Sequence, residues 1–600
     1  MRSRAGLVFL PYAVFLLLAA ISWNRWVEPF VDTGRELMVP ARVAQGERLY
    51  RDVRFYYGPL APYLAAGVDL TAGRSFAARI ALAALVALLH LEALRRIARR
   101  LLSEGLAALA ASVAVGVTFF LRPGGCHLFP YSLDTALAVA AATWSVLLSA
   151  SGGAPRRDRL AAIGLLVALL SRPEIGMAAA AALGVERLFG PDRAAKRRLA
   201  WLAVVPLLVA GIVYAVFSAG TAMPILKKEG WLTFLFLPPE FVSVYSSFAG
   251  VDRPALRTAE LGLALVSLFL VGVWVLLAAL ASAKSRPASA GAARGIEVFA
   301  VALLAVAALL RLRPPAAFAE TAALLPPLVR AVPPLLFAVA AWGILRRLRD
   351  RSRPTTLSGV PDSVLLLSLF FAMRLFLAAG YVGPYNGFYL PLPLLLSVAL
   401  VCNAAARIPG RIEVSPRPTA LPGLVAAALA VYLGARIAAL ALSYRNPAWS
   451  RVPTPAGSIF VPEPAAGAIR ETLGDLSRRV PPGGAIAGFP ETGLFNWVLD
   501  RKNPLAQDQF FPGHLDAEAE AEAITRLRTN PPDAVVFANV LTVGHGRIAL
   551  GKDYLVALDS FVRENFPLVG ISGPGARPDA RIGDPDFFIE VRAPAPKGRP

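Results

Sequence analysis

Residues 24–66, NRWVEPFVDTGRELMVPARVAQGERLYRDVRFYYGPLAPYLAA, are dense in acids, arginines and tyrosines although they lie between two apolar segments. Those segments, 5–23 and 74–102, approach or exceed the roughly 20 residues that a straight membrane span needs. The sequence therefore predicts that residues 24–73, which we name the first loop, connect two membrane helices. Charge and aromatic surface in such a loop favour a binding function.

The composition is that of a polytopic α-helical membrane protein. Of 600 residues, 56% are hydrophobic and only 17% are charged, and the mean hydropathy is +0.57, which is apolar for a soluble chain. The apolar segments predict about thirteen transmembrane helices. They lie at 5–23, 74–102, 105–122, 133–150, 159–171, 174–189, 198–217, 259–281, 295–311, 332–346, 362–380, 388–406 and 419–442.

The net charge of +21 comes largely from short basic blocks between these segments, for example at 95–100 and 156–159. Blocks of this kind follow the positive-inside rule and need no nucleic-acid partner. They predict a cytoplasmic N-terminus, an outer first loop and an outer C-terminus.

Composition changes after residue 445. Five prolines between 447 and 464 predict a linker over 446–463. Beyond it, helices predicted at 464–480, 516–529 and 552–565 alternate with strands. The strands are predicted at 485–489, 534–537, 568–571 and 587–591. Residues 1–445 are thus predicted to form a transmembrane domain and 464–600 a small extracytoplasmic α/β domain.

Asp32 stands just before a predicted short helix that runs from Thr33 to about Ala44. Thr33 and Glu36 fit a capping box, in which Glu36 folds back on the backbone of Thr33. That role leaves Asp32 unexplained and makes it a candidate catalytic carboxylate. The arginines of the loop lie against the positive-inside bias, and guanidinium groups match phosphate oxygens in two-point geometry. They are Arg25, Arg35, Arg42, Arg48, Arg51 and Arg54.

Three further ionisable residues are predicted at the same membrane face. Asp134 follows Ser132 at the start of a span, where a helix dipole stabilises an acid by about 0.3–1 kcal/mol. Arg172 lies at the tip of a short helical hairpin, where it either pairs with Glu174 or faces a phosphate. Arg374 lies in an apolar run and is either a snorkelling side chain or a functional one.

Tyrosines are also predicted to cluster at this face, where most fit an interfacial aromatic belt. One or two of them are candidates for stacking on a sugar ring, and Tyr57 and Tyr389 are our choices. The sequence has neither a CxxC nor an HExxH motif, so no structural metal site is predicted.

These residues resemble the GT-C superfamily of polyprenyl-phosphate-sugar-dependent glycosyltransferases, near the aminoarabinose transferase and protein mannosyltransferase group. Phe388 stands where that family has an arginine, and Thr33 follows Asp32 where the family has a second acid. The motifs that carry the resemblance are Asp32 with Arg35 in a long first loop, Tyr57-Gly58-Pro59, Asp134, Ser171-Arg172-Pro173-Glu174 and Tyr389-Leu390-Pro391.

The resemblance implies an integral-membrane glycosyltransferase of the bacterial inner membrane with a GT-C-like fold. It would move a sugar, with inversion, from a polyprenyl-phosphate donor to an extracytoplasmic acceptor that is a lipid, a glycan or a protein. The resemblance makes no cofactor certain and leaves a divalent cation open, while no nucleotide is needed. The implied roles are catalysis for Asp32 and Asp134, donor-phosphate binding for Arg35, Arg172 and Arg374, and substrate binding for Tyr57, Tyr389 and Glu36.

Two other classes of membrane protein remain alternatives. O-antigen ligases and polymerases use diphosphate-linked glycans and usually depend on a large late outer loop, whereas the charged loop here comes first. A transporter or flippase of lipid-linked sugars should show internal repeats with broken helices in corresponding halves, and the sequence shows no such symmetry.

Overall fold

A mostly helical fold with a C-terminal α/β domain is observed in the computed structural model. The model describes residues 6–25, 29–121, 125–126, 132–150, 155–189, 200–237, 239, 241–242, 332, 336, 360–377, 386–406, 421–445, 448–542, 547–577 and 579–595. The predicted spans at 259–281 and 295–311 lie outside these residues, as does 332–346 except for Val332 and Leu336.

Helices occupy the other predicted spans. The fifth helix continues through a π-helical turn, Val115–Phe119, into two short antiparallel strands, β1 (Phe120–Leu121) and β2 (Gly125–Cys126). A second π-helical turn, Ala200–Val204, precedes the ninth helix. The helices of the N-terminal part are α1 (Leu10–Ser22), α2 (Thr33–Ala44), α3 (Leu60–Ala72), α4 (Phe76–Leu101), α5 (Glu104–Ala114), α6 (Leu133–Ser149), α7 (Pro155–Ser171), α8 (Pro173–Phe189), α9 (Val205–Ser218), α10 (Met223–Glu229), α11 (Asp362–Leu377), α12 (Asn386–Tyr389), α13 (Pro391–Ala406) and α14 (Leu421–Tyr444).

Two described helices are long and apolar enough to cross a membrane, namely Phe76–Leu101 and Val425–Tyr444. A third candidate is the bent pair of Leu202–Ser218 and Met223–Glu229. Several other apolar helices, such as α1 and α6, are shorter than 18 residues. These helices fit a membrane protein, while the predicted number of about thirteen spans is not confirmed.

The helical core is held together by close contacts between small side chains. Helix α6 packs against α4, α7 and α8, and α11 packs against α6 and α8. On α6, Ala138 and Ala142 are fully buried. Small residues let membrane helices approach closely and gain van der Waals contact, which explains why an alanine-rich α6 lies at the centre of this bundle.

The first loop contains two helices, of which the sequence predicts one. Helix α2 has the predicted bounds, Thr33–Ala44. Helix α3, Leu60–Ala72, was not predicted. Both pack together and lead into α4, so the loop is a folded layer at one end of the bundle.

The C-terminal domain contains the predicted alternation of helices and strands. Four strands form a sheet in the order β5-β6-β8-β7, with β5 and β6 parallel and β8 antiparallel to both neighbours. The strands are β5 (Ile486–Phe489), β6 (Ala534–Ala538), β7 (Leu568–Ser572) and β8 (Ile589–Arg592), and the helices are α15 (Ala465–Arg479), α16 (Gly493–Leu499), α17 (Ala517–Thr529) and α18 (Val556–Asn565).

The segment predicted as a bare linker is instead an antiparallel hairpin, β3 (Trp449–Val452) and β4 (Ile459–Pro462). Its second strand contacts the end of α1, because the Phe460 N–H donates to the carbonyl oxygen of Asn24 at 2.7 Å. Of the prolines that suggested a linker, Pro453 and Pro455 lie between the two strands and Pro462 ends the second strand. The hairpin therefore ties the C-terminal domain to the start of the first loop.

Helix α16, which was not predicted, packs directly on α2. Two glycines allow this contact. A Cβ added at Gly34 would lie 2.9 Å from the backbone nitrogen of Gly493, and one added at Gly493 would lie 3.0 Å from the carbonyl oxygen of Gly34. Backbones can approach this closely only where neither residue carries a side chain, so the domain is seated on the N-terminal turn of α2.

Ion pairs extend the same interface, and they correct our interpretation of several loop arginines. Buried Arg42 pairs with Asp508 of the C-terminal domain at 3.1 Å, and Arg54 lies 3.6 Å from Glu229. The side chain of Glu229 in turn accepts a hydrogen bond from Gln507. Arg42 pairs directly with an acid of the C-terminal domain and Arg54 faces an acid that is hydrogen-bonded to that domain, so these two guanidinium groups hold the domain on the loop.

Candidate functional site

Asp32 is the N-cap residue of α2, so the predicted capping box is out of register by one residue. Thr33 is the first helical residue, and the carboxylate of Glu36 accepts from Arg35 at 3.2 Å. The backbone of Asp32 is left-handed, with φ 62°, and its side chain makes no capping hydrogen bond. A non-glycine residue in this conformation usually has a local reason.

The local reason comes from the C-terminal domain. Glu491 follows strand β5, and its two carboxylate oxygens accept the backbone N–H groups of Asp32 at 2.8 Å and Arg35 at 2.9 Å. Gln509 links the side chains of Asp32 and Glu491, because its Nε2 donates to Asp32 Oδ1 at 3.1 Å and to Glu491 Oε2 at 3.0 Å. Its Oε1 accepts from Arg35 Nη1 at 3.0 Å. We call Asp32, Arg35, Glu491 and Gln509 the Asp32 cluster.

Sequence analysis missed Glu491 and Gln509. Both are separated from Asp32 by more than 450 residues, and the domain that carries them showed no catalytic motif. One signal was available, since polar residues just beyond the carboxyl end of a parallel strand often belong to a site, and Glu491 lies there after β5.

The electrostatics of the Asp32 cluster leave one carboxylate accessible. Arg35 Nη1 lies 3.2 Å from Asp32 Oδ1, and the side chain of Asp32 is 24% exposed. Glu491 is fully buried. Burial and the neighbouring charge of Asp32 raise the pKa of Glu491 well above its usual value, because both disfavour the charged form of a carboxyl group.

Asp134 and Arg172 form a second buried pair, which the sequence did not predict. Arg172 Nε lies 2.5 Å from Asp134 Oδ2, and both side chains are buried. Ser132 accepts from Arg172 Nη2 at 3.2 Å and donates to Asp134 Oδ1 at 3.0 Å. The predicted pairing with Glu174 is also present but longer, at 3.4 Å, and Glu174 is 47% exposed.

The ring of Tyr57 contacts Arg35 of the Asp32 cluster and Arg172 of the Asp134–Arg172 pair. Its ring centroid lies 3.5 Å from the guanidinium carbon of Arg172 and 5.2 Å from that of Arg35, which is the geometry of cation–π contacts. Gly58 makes this possible, because its N–H donates to the carbonyl oxygen of Ser171 and an added Cβ would lie 2.1 Å from the carbonyl oxygen of Leu170. The predicted Tyr57-Gly58-Pro59 turn is thus pressed against the α7–α8 tip.

Glu36 faces a small cavity where α2, α3, α4 and the start of α6 meet, together with Arg35, Arg79, Phe55 and Leu133. Burial raises the pKa of Glu36 to about 7, the charge of Asp134 adds to this effect and Arg35 opposes it. Glu36 therefore interacts electrostatically with Arg35 of the Asp32 cluster and with Asp134, and it changes its charge near neutral pH.

This pKa predicts a pH-dependent stability. The unfolded chain releases the Glu36 proton near pH 4.5, whereas the folded protein keeps it up to about 7, so stability falls as pH rises between those values. The total cost of the shift is about 3 kcal/mol. Glu36→Gln keeps an oxygen for Arg35 and abolishes the titration.

We expect the Tm of Glu36→Gln in detergent to exceed that of the wild type at pH 8.5 and to show no such gain at pH 4.5. Glu522→Gln, on the exposed face of α17, controls for the loss of one carboxylate. A Tm difference between Glu36→Gln and wild type that is the same at both pH values would contradict the prediction.

Arg374 lies in the last turn of α11, toward the end of the bundle that carries Arg172. The Ser363 N–H, at the start of α11, donates to the Glu186 carboxylate near the end of α8, and the two helices pack together. At 1.5 Å per residue, Arg374 is about 17 Å further along α11 and Glu174 about 18 Å back along α8. The two residues thus lie at similar depth.

Tyr389 does not have the exposed ring that stacking on a sugar requires. Its side chain is 2% exposed and packs edge-on against Phe371, with the ring centroids 5.6 Å apart. The physical reason is its place on α12, which is enclosed by α6, α11 and the π-helical turn after α5. In this structure Tyr389 is a core residue.

The acids of the site lie next to nitrogen donors. Among the described residues, no group of three or more histidine, cysteine or acidic side chains is arranged to hold a metal ion. The carboxylates of the Asp32 cluster and of Asp134 face guanidinium groups, amide groups or backbone N–H groups instead.

No protein-family model and no curated protein matches the sequence. Several solved structures do match, among them ArnT and the oligosaccharyltransferase AglB. ArnT from Cupriavidus metallidurans in the apo state is 16% identical with a TM-score of 0.42, and each chain covers 98% of the other. ArnT bound to undecaprenyl phosphate is 15% identical with a TM-score of 0.45 and the same coverage.

Another matching structure is the archaeal oligosaccharyltransferase AglB from Archaeoglobus fulgidus, in complex with an inhibitory peptide and a dolichol-phosphate. It is 14% identical with a TM-score of 0.47, and the match covers 99% of this chain and 75% of AglB.

Proposed function

We propose that this protein is an integral-membrane glycosyltransferase that moves a sugar from a polyprenyl-phosphate donor to an extracytoplasmic acceptor. The observation that carries the proposal is the meeting of the Asp32 cluster with the Asp134–Arg172 pair across Tyr57. One accessible carboxylate next to two buried guanidinium groups is the combination that glycosyl transfer from a phosphate-linked donor needs. The likeness to ArnT and AglB is in keeping with it.

Asp32 is the general base in this proposal. It takes the proton of the acceptor hydroxyl while the hydroxyl oxygen bonds to the anomeric carbon. The bond from that carbon to the phosphate oxygen breaks on the opposite face, its electron pair leaves with the polyprenyl phosphate, and the configuration is inverted. General-base catalysis of this kind contributes about 10²–10⁴-fold to the rate.

Arg172 receives the departing phosphate, with Arg35 beside it. Its pair with Asp134 fixes the guanidinium group, while the exposed and more distant Glu174 is the partner that a phosphate displaces most easily. Arg172 is only 2% exposed because the Tyr57 ring covers it. Donor binding therefore includes a displacement of Tyr57, and Arg374 adds positive charge at the same level of the bundle.

The proposal includes the setting of the reaction. The protein is placed in the bacterial inner membrane with a cytoplasmic N-terminus and an extracytoplasmic C-terminal domain, since the first loop must reach an acceptor outside the cell. The sugar arrives already activated, so the reaction needs no nucleotide. The acceptor is a lipid, a glycan or a protein.

Deletion of the gene in its own organism tests the proposal. We expect mass spectrometry of the envelope to show one sugar missing from a lipid, glycan or protein, and the wild-type gene to restore it. The purified protein should also bind undecaprenyl phosphate in native mass spectrometry. An unchanged envelope together with failure to bind this lipid would refute the proposal, and accumulation of a lipid-linked sugar on the inner leaflet would identify a flippase instead.

A further inference from the structure

We propose that Glu491 is a positioning residue, which caps helix α2 from the C-terminal domain and thereby frees the carboxylate of Asp32 for catalysis. The inference rests on the proposed function, because it assigns a task to the domain within the same site. It makes the C-terminal domain a part of the active site.

An aspartate at an N-cap normally uses its own carboxylate to accept the N–H of the second or third helical residue. Here the third residue is Arg35, and its N–H donates to Glu491 at 2.9 Å. The side chain of Asp32 makes no capping bond. Glu491 has thus taken over the function that would otherwise occupy Asp32.

The backbone conformation of Asp32 explains why its side chain does not cap the helix. An N-cap residue that caps itself has an extended backbone, whereas Asp32 has φ 62°. The second oxygen of Glu491 accepts the Asp32 N–H at 2.8 Å and so holds this conformation. Without Glu491, both N–H groups lose their acceptor, and the carboxylate of Asp32 becomes the nearest replacement.

Gln509 completes the arrangement. Its amide group donates to Asp32 Oδ1 and Glu491 Oε2 and accepts from Arg35 Nη1. One amide group thus fixes the Asp32 side chain relative to Glu491 and Arg35. The carboxylate of Asp32 is therefore positioned by two loops of the C-terminal domain. Glu491 lies in the loop after β5, and Gln509 lies in the loop before α17.

The test compares Glu491→Gln with Asp508→Asn. A glutamine at 491 keeps the volume but presents an amide N–H₂ to one of the two N–H groups. Asp508 is the matched control because it makes an equally buried contact to α2, with Arg42 at the opposite end of the helix. The readouts are restoration of the missing sugar in the deletion strain, undecaprenyl phosphate affinity, Tm and hydrogen exchange of peptides from residues 29–44.

We expect Glu491→Gln to lower sugar transfer per folded protein by about 10²-fold, the usual effect of misplacing a catalytic group by about 1 Å. Its undecaprenyl phosphate affinity should stay within threefold of the wild type, and Glu491→Asp should recover part of the transfer. Asp508→Asn should lower the Tm and increase exchange at the C-terminal end of α2, with transfer per folded protein within twofold of the wild type.

Equal losses of Tm and transfer in Glu491→Gln and Asp508→Asn would overturn the inference, because both would then act through domain docking alone. Wild-type transfer by Glu491→Gln would overturn it as well. If Asp32→Asn is inactive in the same assay, these failures leave the proposed function standing. Full activity of Asp32→Asn would overturn both.

Discussion

Asp32→Asn is expected to lower sugar transfer by about 10²–10⁴-fold, which is the contribution of a general base. The asparagine has nearly the same shape and keeps an oxygen that accepts from Gln509 and faces Arg35. The site should therefore stay folded, with the affinity for undecaprenyl phosphate within threefold of the wild type. The loss should appear in the rate of transfer at saturating donor and not in donor binding.

The control is Asp52→Asn in the same loop. Asp52 is more exposed and pairs with Arg51 at 3.0 Å, while its other oxygen accepts the Arg48 N–H. We expect its transfer rate to stay within twofold of the wild type. Normal transfer by purified Asp32→Asn would remove Asp32 from the mechanism, whatever the effect of the control.

The sequence predicted local elements well because their determinants are local. The bounds of α2 and the positions of α15, α17 and β5 follow from capping residues, helical periodicity and short apolar runs, each contained within about 15 residues. The Tyr57-Gly58-Pro59 turn was also visible, although the reason for its glycine, the close approach to Leu170, was not. Sequence motifs therefore selected Asp32, Arg35, Tyr57, Asp134 and Arg172 as candidates, and the structure brings these five residues together.

The sequence could not predict the partners of those residues. Arg42 and Arg35 look alike in the loop, yet Arg42 pairs with Asp508 and Arg35 contacts Asp32 and Gln509. The distinction depends on where the C-terminal domain sits, and that position is set by the contact of Gly34 with Gly493. Neither charge nor periodicity in the loop carries this information, which is why the loop arginines were interpreted as a common phosphate site.

Removal of Arg172 alone is expected to have two effects that a second substitution separates. Arg172→Met takes away the partner of buried Asp134, and an uncompensated buried charge costs about 3–5 kcal/mol. The same change removes the guanidinium group proposed to receive the donor phosphate. A single variant with a lower Tm and no transfer would therefore not tell a structural pair from a binding residue.

The double variant Asp134→Leu/Arg172→Met distinguishes the two. Replacing both members of a buried ion pair by apolar residues of similar volume is often neutral or stabilising, so the Tm should recover most of the loss. We expect the affinity for undecaprenyl phosphate to remain at least tenfold below that of the wild type in both variants, since one charge-assisted hydrogen bond is worth about 1.5–3 kcal/mol. A double variant that regained wild-type affinity would show that Arg172 serves only to neutralise Asp134, and the phosphate would then have to be held by Arg35 or Arg374.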